Sequence, residues 1–501
     1  MSQDTPDTPL VPTSTPTAPS GDAPADAPAA VVAPEEVLAR LQEALPGRVD
    51  TSPEALALAG ADRSGYKAAT DALCLVRAES VEDVQAVCRI ASETRTPVVP
   101  RGAASGISGG SVAGDGAISL DLNSMNRILE ISVADRVAVV EPGILNGDLN
   151  RALAEHGLWW APDPASKDIS TVGGNIALNA GGLLCAKYGV TREAVLGLSV
   201  VLADGTLLEL GHRSVKGVTG YDLTALMIGS EGTLGVIVGA TLALRPVVTS
   251  GQVTVGGFFP DVVAAASASA AITAAGLVPA IMELLDEANV DAIRRYTLAR
   301  GEDASALPEH GAYLLVQTDG PGAEAEGARV AELMEANRGQ VRLTSDPEVA
   351  DELTGLRRLV FPSLEALGTV LVEDVAVPRS KMPEMFARIR EIEAATGVQI
   401  PTAAHAGDGN LHPIAIYEPV EDASATGVAA GIPADVWDAV GQVFRAALDL
   451  GGTLTGEHGV GVLKREFLRD ELGDAQYALQ ERVKAAFDPL GILNPGKVFD
   501  L

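Results

Sequence analysis

The chain has 501 residues, 47% hydrophobic and 21% charged, a globular composition long enough for two or three domains. Asp and Glu number 67 against 36 Lys and Arg, a net charge of −31; so acidic a surface repels phosphate backbones and anionic headgroups and argues against nucleic-acid binding. Three cysteines, Cys74, Cys88 and Cys185, lie far apart, form no disulfide framework or metal-cluster motif, and point to a reducing compartment.

Residues 1–34 are mostly Pro, Thr, Ala, Ser and Asp and bury too little apolar surface to offset their ordering entropy, which predicts a disordered tail. The first basic residue is Arg40, so the basic region of a secretory signal is missing. No run of about 18 apolar residues suggests a membrane span. A cytoplasmic protein is expected, with docking on a membrane complex left open. The helical spacing of EEVLARLQEAL opens the ordered part near Glu35.

From 70 to 130 strands alternate with helical patterns: a helix over Val81–Ala91, a short strand over Pro97–Pro100, and another over Ala117–Leu122, an α/β signal. The stretches Val137–Pro142 and Leu149–His156, then the Gly-rich 173–182, continue it. Residues 195–210 read as a hairpin about a DG turn. After Leu244-Arg245-Pro246 a second unit begins with an Ala-rich helix at 261–275 and a strand around Tyr313–Gln317. The closing FDPLGILNPGK is turn-rich, and no internal repeat is evident.

Three segments are dense in glycine: RGAASGISGG (101–110), PDPASKDISTVGGNIALNAGG (162–182) and KGVTGYDLTALMIGSEGTLGVI (216–237). Glycine lets a backbone turn its N–H groups inward as a nest for phosphate. By itself one such loop is more often a tight turn, and neither an intact GxGxxG nor a GK[ST] is present. Three of them on separate strands can wrap a long, phosphate-bearing cofactor.

The chain has only six histidines, and three fall in two short motifs, HAGDGNLH (405–412) and GEHGVG (456–461). Two imidazoles with a carboxylate suit zinc or another divalent ion with one position open for substrate. From spacing alone, hydrogen-bonded histidines are the commoner case. Arg357 and Arg358 alone read as surface residues of a helix.

The motifs PRGAASGISGG, STVGGN, VTGYDL, GSEGTLG, HAGDGNLH, GEHGVG and LNPGK, in this order, resemble the FAD-linked 2-hydroxy-acid dehydrogenases, such as the glycolate oxidase flavin subunit and the cytochrome-type D-lactate dehydrogenases. The resemblance spans roughly 40 to 500. It implies an α+β fold: a two-part FAD-binding domain of the vanillyl-alcohol-oxidase type with an α+β cap. The expected division is 35–246 for the FAD-binding domain, 247–455 for the cap with the first His motif, and 456–501 for a segment returning to the FAD site.

It also implies roles. Arg101, Gly102, Ala103, Ser105 and Gly106 would hold the FAD pyrophosphate, with Ser108 and Gly109 nearby. Pro164, Thr171, Gly173, Gly174 and Asn175 would line the flavin side, with Gly181 close by. Glu231, Gly232 and Ile237 would bracket the adenosine half, and Asn494 would return to the isoalloxazine. The first loop lacks the histidine that tethers flavin covalently in some relatives, so the FAD is expected to be dissociable. His405, His412 and Glu457 would hold the ion, zinc first. His458 would be the catalytic base, Arg357 the receiver of the substrate carboxylate, and Asn410 a substrate contact. Aligned on LVEDVAVP, Val372 stands where hydroxyglutarate-type members carry a basic residue, which favours a short monocarboxylate such as D-lactate or glycolate. The implied partners are a small 2-hydroxy acid and an electron acceptor, either a protein or a quinone, with a homo-oligomer expected. The flavin loops equally suit an enzyme of another polar alcohol or a phosphorylated ether-lipid precursor, and a non-catalytic flavin subunit is a third reading.

Overall fold

Cys74–Arg77, Ile118–Asp121 and Val98–Arg101 form a parallel set, joined at one edge by the antiparallel Val49–Asp50. The computed structural model that places them describes residues 32–420 and 431–500; the segment 1–31, most of the expected tail, lies outside these. The crossover helix Val81–Thr94 starts at a capping box between Ser80 and Asp83 and ends where Arg95 turns left-handed. Its apolar stripe, Val84, Val87, Cys88, Ile90 and Ala91, packs on the sheet through residues including Val76, Ile118 and Leu120.

A second, antiparallel sheet orders its strands Ile128–Ser132, Val137–Val140, Val236–Ala243, Val195–Val201 and Leu207–Gly211. Its last two strands are the expected hairpin, with Val201 opposite Leu207 and Gly205 at φ +84° in the turn. The segment 162–182 departs from the loop expected there. Thr171 accepts a hydrogen bond from the Gly174 N–H and caps a helix over Val172–Leu178, because Asn175, Ile176, Ala177 and Leu178 continue a helical turn that two glycines do not prevent.

The third sheet is antiparallel throughout, in the order Gln340–Thr344, Gln252–Phe259, Ala312–Asp319, Ile281–Leu285, Thr402–His405, Asn410–Tyr417 and Thr369–Val372, with Val375–Ala376 also on Asn410–Tyr417. One face is covered by helices Val262–Ala274, Ala323–Ala336 and Met382–Thr396, and the other by Glu287–Ala299 and Val360–Glu365.

After the helix Leu468–Phe487 the chain turns back to the first sheet. The Val98 N–H donates to Ile492 O at 2.8 Å, and the Asn494 N–H to Val98 O at 2.8 Å. Buried Lys484 pairs with Asp488 and donates to Thr233 O and Leu493 O at 2.7 and 2.8 Å, pinning the turn. Among the described residues no helix is long and apolar enough to cross a membrane.

Candidate active site and cofactor channel

A cavity of about 700 Å3 runs between the first two sheets and the third, within the usual size of ligand sites. Its wall contains Arg101, Gly102, Ala103, Ser105, Gly106, Ser108, Pro164, Thr171, Gly173, Gly174, Asn175, Gly181, Glu231, Gly232 and Ile237. The N–H groups of residues 103–108 have no backbone acceptor among the described residues. Unpaired donors in a turn beside a cavity are what a pyrophosphate needs. Gly102 is required by close approach, since a Cβ there would collide with Thr171 Oγ1.

Three expected residues stand behind this wall. Gly109, at φ +80°, packs on Val462. Asn494 donates to Gly110 O and Glu231 O at 2.9 and 2.7 Å, tying two glycine segments together. Asn410 lies against the Gly456 backbone with its Oδ1 buried and unpartnered. Glu231, besides lining the channel, braces a neighbouring loop. Its carboxylate accepts the Val460 and Gly461 N–H groups at 2.7 and 2.8 Å, holding GEHGVG to the channel.

At the far end of the cavity lie His405, His412, Glu457, His458 and Arg357. His405 ends one strand and His412 lies on the next; the turn between them, with Gly409 at φ +92°, lets both rings face one point. One donor atom from each of His405, His412 and Glu457 falls within 4.8 Å of the others. Glu457 Oε1 is 3.6 Å from His405 Nε2, 3.2 Å from His412 Nε2 and 3.9 Å from His458 Nε2. The two-imidazole, one-carboxylate set, converging at a cavity wall, fits a divalent ion with an open position. Burial works against the charge of Glu457, yet the two histidines hold its carboxyl well below the carboxylate range. Burial likewise opposes protonation of His405, but the Glu283 carboxylate prevails and raises it well above 6.5. The His458 ring stacks on that of His412 at 5.2 Å, and burial lowers its pKa to about 4 against the pull of Asp374.

The supports of this cluster come from segments that no sequence motif marks. Glu283 accepts from Arg357 Nε at 2.8 Å and lies 2.6 Å from His405 Nδ1. Asp374 takes the N–H groups of Gly456 and Glu457 at 2.6 and 2.7 Å on one oxygen, and that of His458 at 3.4 Å. Its other oxygen is 3.4 Å from His458 Nδ1. Buried Lys464 pairs with Asp374 and lies 3.2 Å from Glu373. For Glu283 the available signal was a single charge inside an apolar run, IMELL; Lys464 stands beside Arg465 and Glu466 and carries no such signal.

The solved structure of p-cresol methylhydroxylase with substrate bound aligns with a TM-score of 0.73 over 93% of this chain and 96% of that one, at 16% identity. The chain therefore shares the fold of p-cresol methylhydroxylase. A family model for an FAD binding domain matches residues 72–211, and one for FAD linked oxidases, C-terminal domain, matches 249–498. Glycolate oxidase subunit GlcD of Bacillus subtilis (strain 168) is 39% identical over 448 residues, covering 87% of this chain and 90% of that protein. D-lactate dehydrogenase of Anaerostipes hadrus is 34% identical over 432 residues, covering 85% and 89%. The chain belongs to the FAD-linked oxidase family and is an FAD-dependent oxidoreductase.

Proposed function

We propose that the protein oxidises a D-2-hydroxy acid, D-lactate or glycolate first, to the 2-oxo acid. The observation carrying this reading is that one cavity joins a glycine-walled channel to an imidazole–carboxylate cluster, a histidine and an arginine. The names of the relatives above agree with it. FAD, when bound along residues 101–110 and 164–181, supplies the hydride acceptor. A divalent cation on His405, His412 and Glu457, zinc first, supplies the Lewis acidity that makes a hydroxyl easier to deprotonate.

The protein's side chains do the rest. Arg357 receives the substrate carboxylate through its Nη groups, its Nε being taken by Glu283. His458 accepts the hydroxyl proton at Nε2, with Nδ1 turned to Asp374. Val360, Phe361, Val370, Val372 and Ile414 line the cavity near Arg357 and offer no cation to a second carboxylate, which supports a monocarboxylate. Electrons leave to a separate acceptor, a partner protein or quinone, with the enzyme in the cytoplasm or against the inner face of a membrane and assembled as a homo-oligomer. The domain division at 246 and 455 belongs to the same proposal.

The test is anaerobic bleaching of the flavin by D- and L-lactate, glycolate, D-2-hydroxyglutarate and D-malate, before and after chelation. Fast bleaching by D-lactate or glycolate, lost with the ion and restored by zinc, is expected. A yellow protein that no acid reduces would overturn the hydroxy-acid reading and favour another polar alcohol.

A further inference from the structure

Glu283 is a charged residue in an otherwise apolar strand, 1% exposed, directly opposite His405 in the antiparallel pairing. Each of its oxygens serves a different partner: Oε1 lies 2.6 Å from His405 Nδ1, and Oε2 accepts from Arg357 Nε at 2.8 Å. An isolated buried carboxylate is costly, so its two partners hold it as firmly as it holds them. His405 is a member of the ion-binding set, and Arg357 is the residue facing the substrate carboxylate.

We propose that Glu283 is the positioning residue that couples the ion site to the substrate receiver. This rests on the reading of His405 and Arg357 given above. By accepting the Nδ1 proton, Glu283 keeps His405 in the tautomer whose Nε2 faces the ion. With its other oxygen it fixes the plane of the Arg357 guanidinium, whose two Nη groups meet no acceptor among the described residues. A shift of the carboxylate moves both ends together, because no other side chain among the described residues joins the two. Linkage then makes the effect reciprocal: the ion tightens binding of the acid by the factor by which the acid tightens the ion.

The experiment uses the full FAD-loaded chain. Zinc affinity is measured by competition with a chromophoric chelator, with and without pyruvate or glyoxylate, whichever is the product of the acid that bleaches the flavin; oxidised flavin leaves either unchanged. In the wild type the 2-oxo acid is expected to tighten zinc measurably. Glu283→Gln has one acceptor for two donors. It is expected to weaken zinc by about 10–100-fold, to raise KM for the hydroxy acid about tenfold or more, and to diminish the mutual tightening to what direct contact between ion and acid supplies. A purely structural role would lower the melting temperature and leave that tightening intact. If Glu283→Gln does not fold, Glu283→Asp keeps the buried charge but is too short for both partners, and the same reduction in coupling is expected. Wild-type zinc affinity or undiminished coupling in the variant would overturn the inference alone. A wild-type protein that binds neither zinc nor acid would overturn the underlying reading with it.

Discussion

His458 is the residue on which the proposed chemistry turns, and its surroundings set what its loss should do. The backbone of its loop is held by Asp374 and Glu231, both independent of the imidazole. Replacing the ring should therefore leave the loop, the flavin and the ion cluster in place. His458→Asn is expected to lower kcat by about 10²–10⁴-fold with little change in KM. Steady-state kinetics with the bleaching acid checks it, and unchanged turnover would assign the base elsewhere. His405, His412, Glu457 and His458 were legible because two short Gly- and His-rich motifs isolate them from an otherwise histidine-poor chain. Glu283, Asp374 and Lys464 were not. A charge that becomes buried has no local signature of its partner, which here comes from a distant strand or loop.

Among the elements, the helix Val172–Leu178 and the loop 101–110 meet at one point. Thr171 Oγ1 caps the helix, and Gly102 lies too close to it to accept a side chain. Gly102→Ala is expected to push the cap aside, costing about 1–3 kcal/mol as an overpacking change and lowering the ratio of bound flavin to protein on purification. Full flavin content with an unchanged melting temperature would show that the contact relaxes freely. In the cap, buried Asp286 caps the helix Glu287–Ala299 through the Asn289 N–H and accepts the Thr402 N–H at 2.8 Å. Burial outweighs these donors and pushes its carboxyl up to about 7. A carboxyl whose folded pKa exceeds its unfolded value binds more protons when folded. Its contribution is complete below about pH 4 and is lost as pH rises through 7. Urea midpoints measured from pH 4 to pH 8 should fall less steeply in Asp286→Asn than in the wild type; parallel curves would contradict this.

For the whole molecule, the C-terminal return ties the first sheet to the glycine segments that wall the channel. Residues after 488 pair with Val98, and Asn494 joins the first and third glycine segments. Lys484 pins this turn from within the core. Lys484→Met leaves Asp488 buried without its counter-ion, and a loss of about 3–5 kcal/mol is expected. Because the same segment braces two glycine segments of the channel wall from behind, flavin release should accompany or precede unfolding. Flavin fluorescence and far-UV circular dichroism followed in one denaturant series test the order; loss of secondary structure with flavin still bound would contradict it.

Local sequence determined the parts of this protein whose physics is local. Apolar period, capping residues and turn dipeptides placed the helix at 81, the hairpin about Asp204-Gly205 and the Ala-rich helix near 262. Glycine spacing marked the segments that wall the channel, but not the capped helix inside the second of them. The ordered motifs carried the resemblance to a flavoprotein family. Tertiary structure alone decided which charges are buried together. It set Glu283 opposite His405, Asp374 beneath the GEHGVG backbone, and the last residues alongside Val98. Such contacts join segments remote in sequence, and they are chosen by how sheets pack and what a buried charge must find, neither of which a local pattern records.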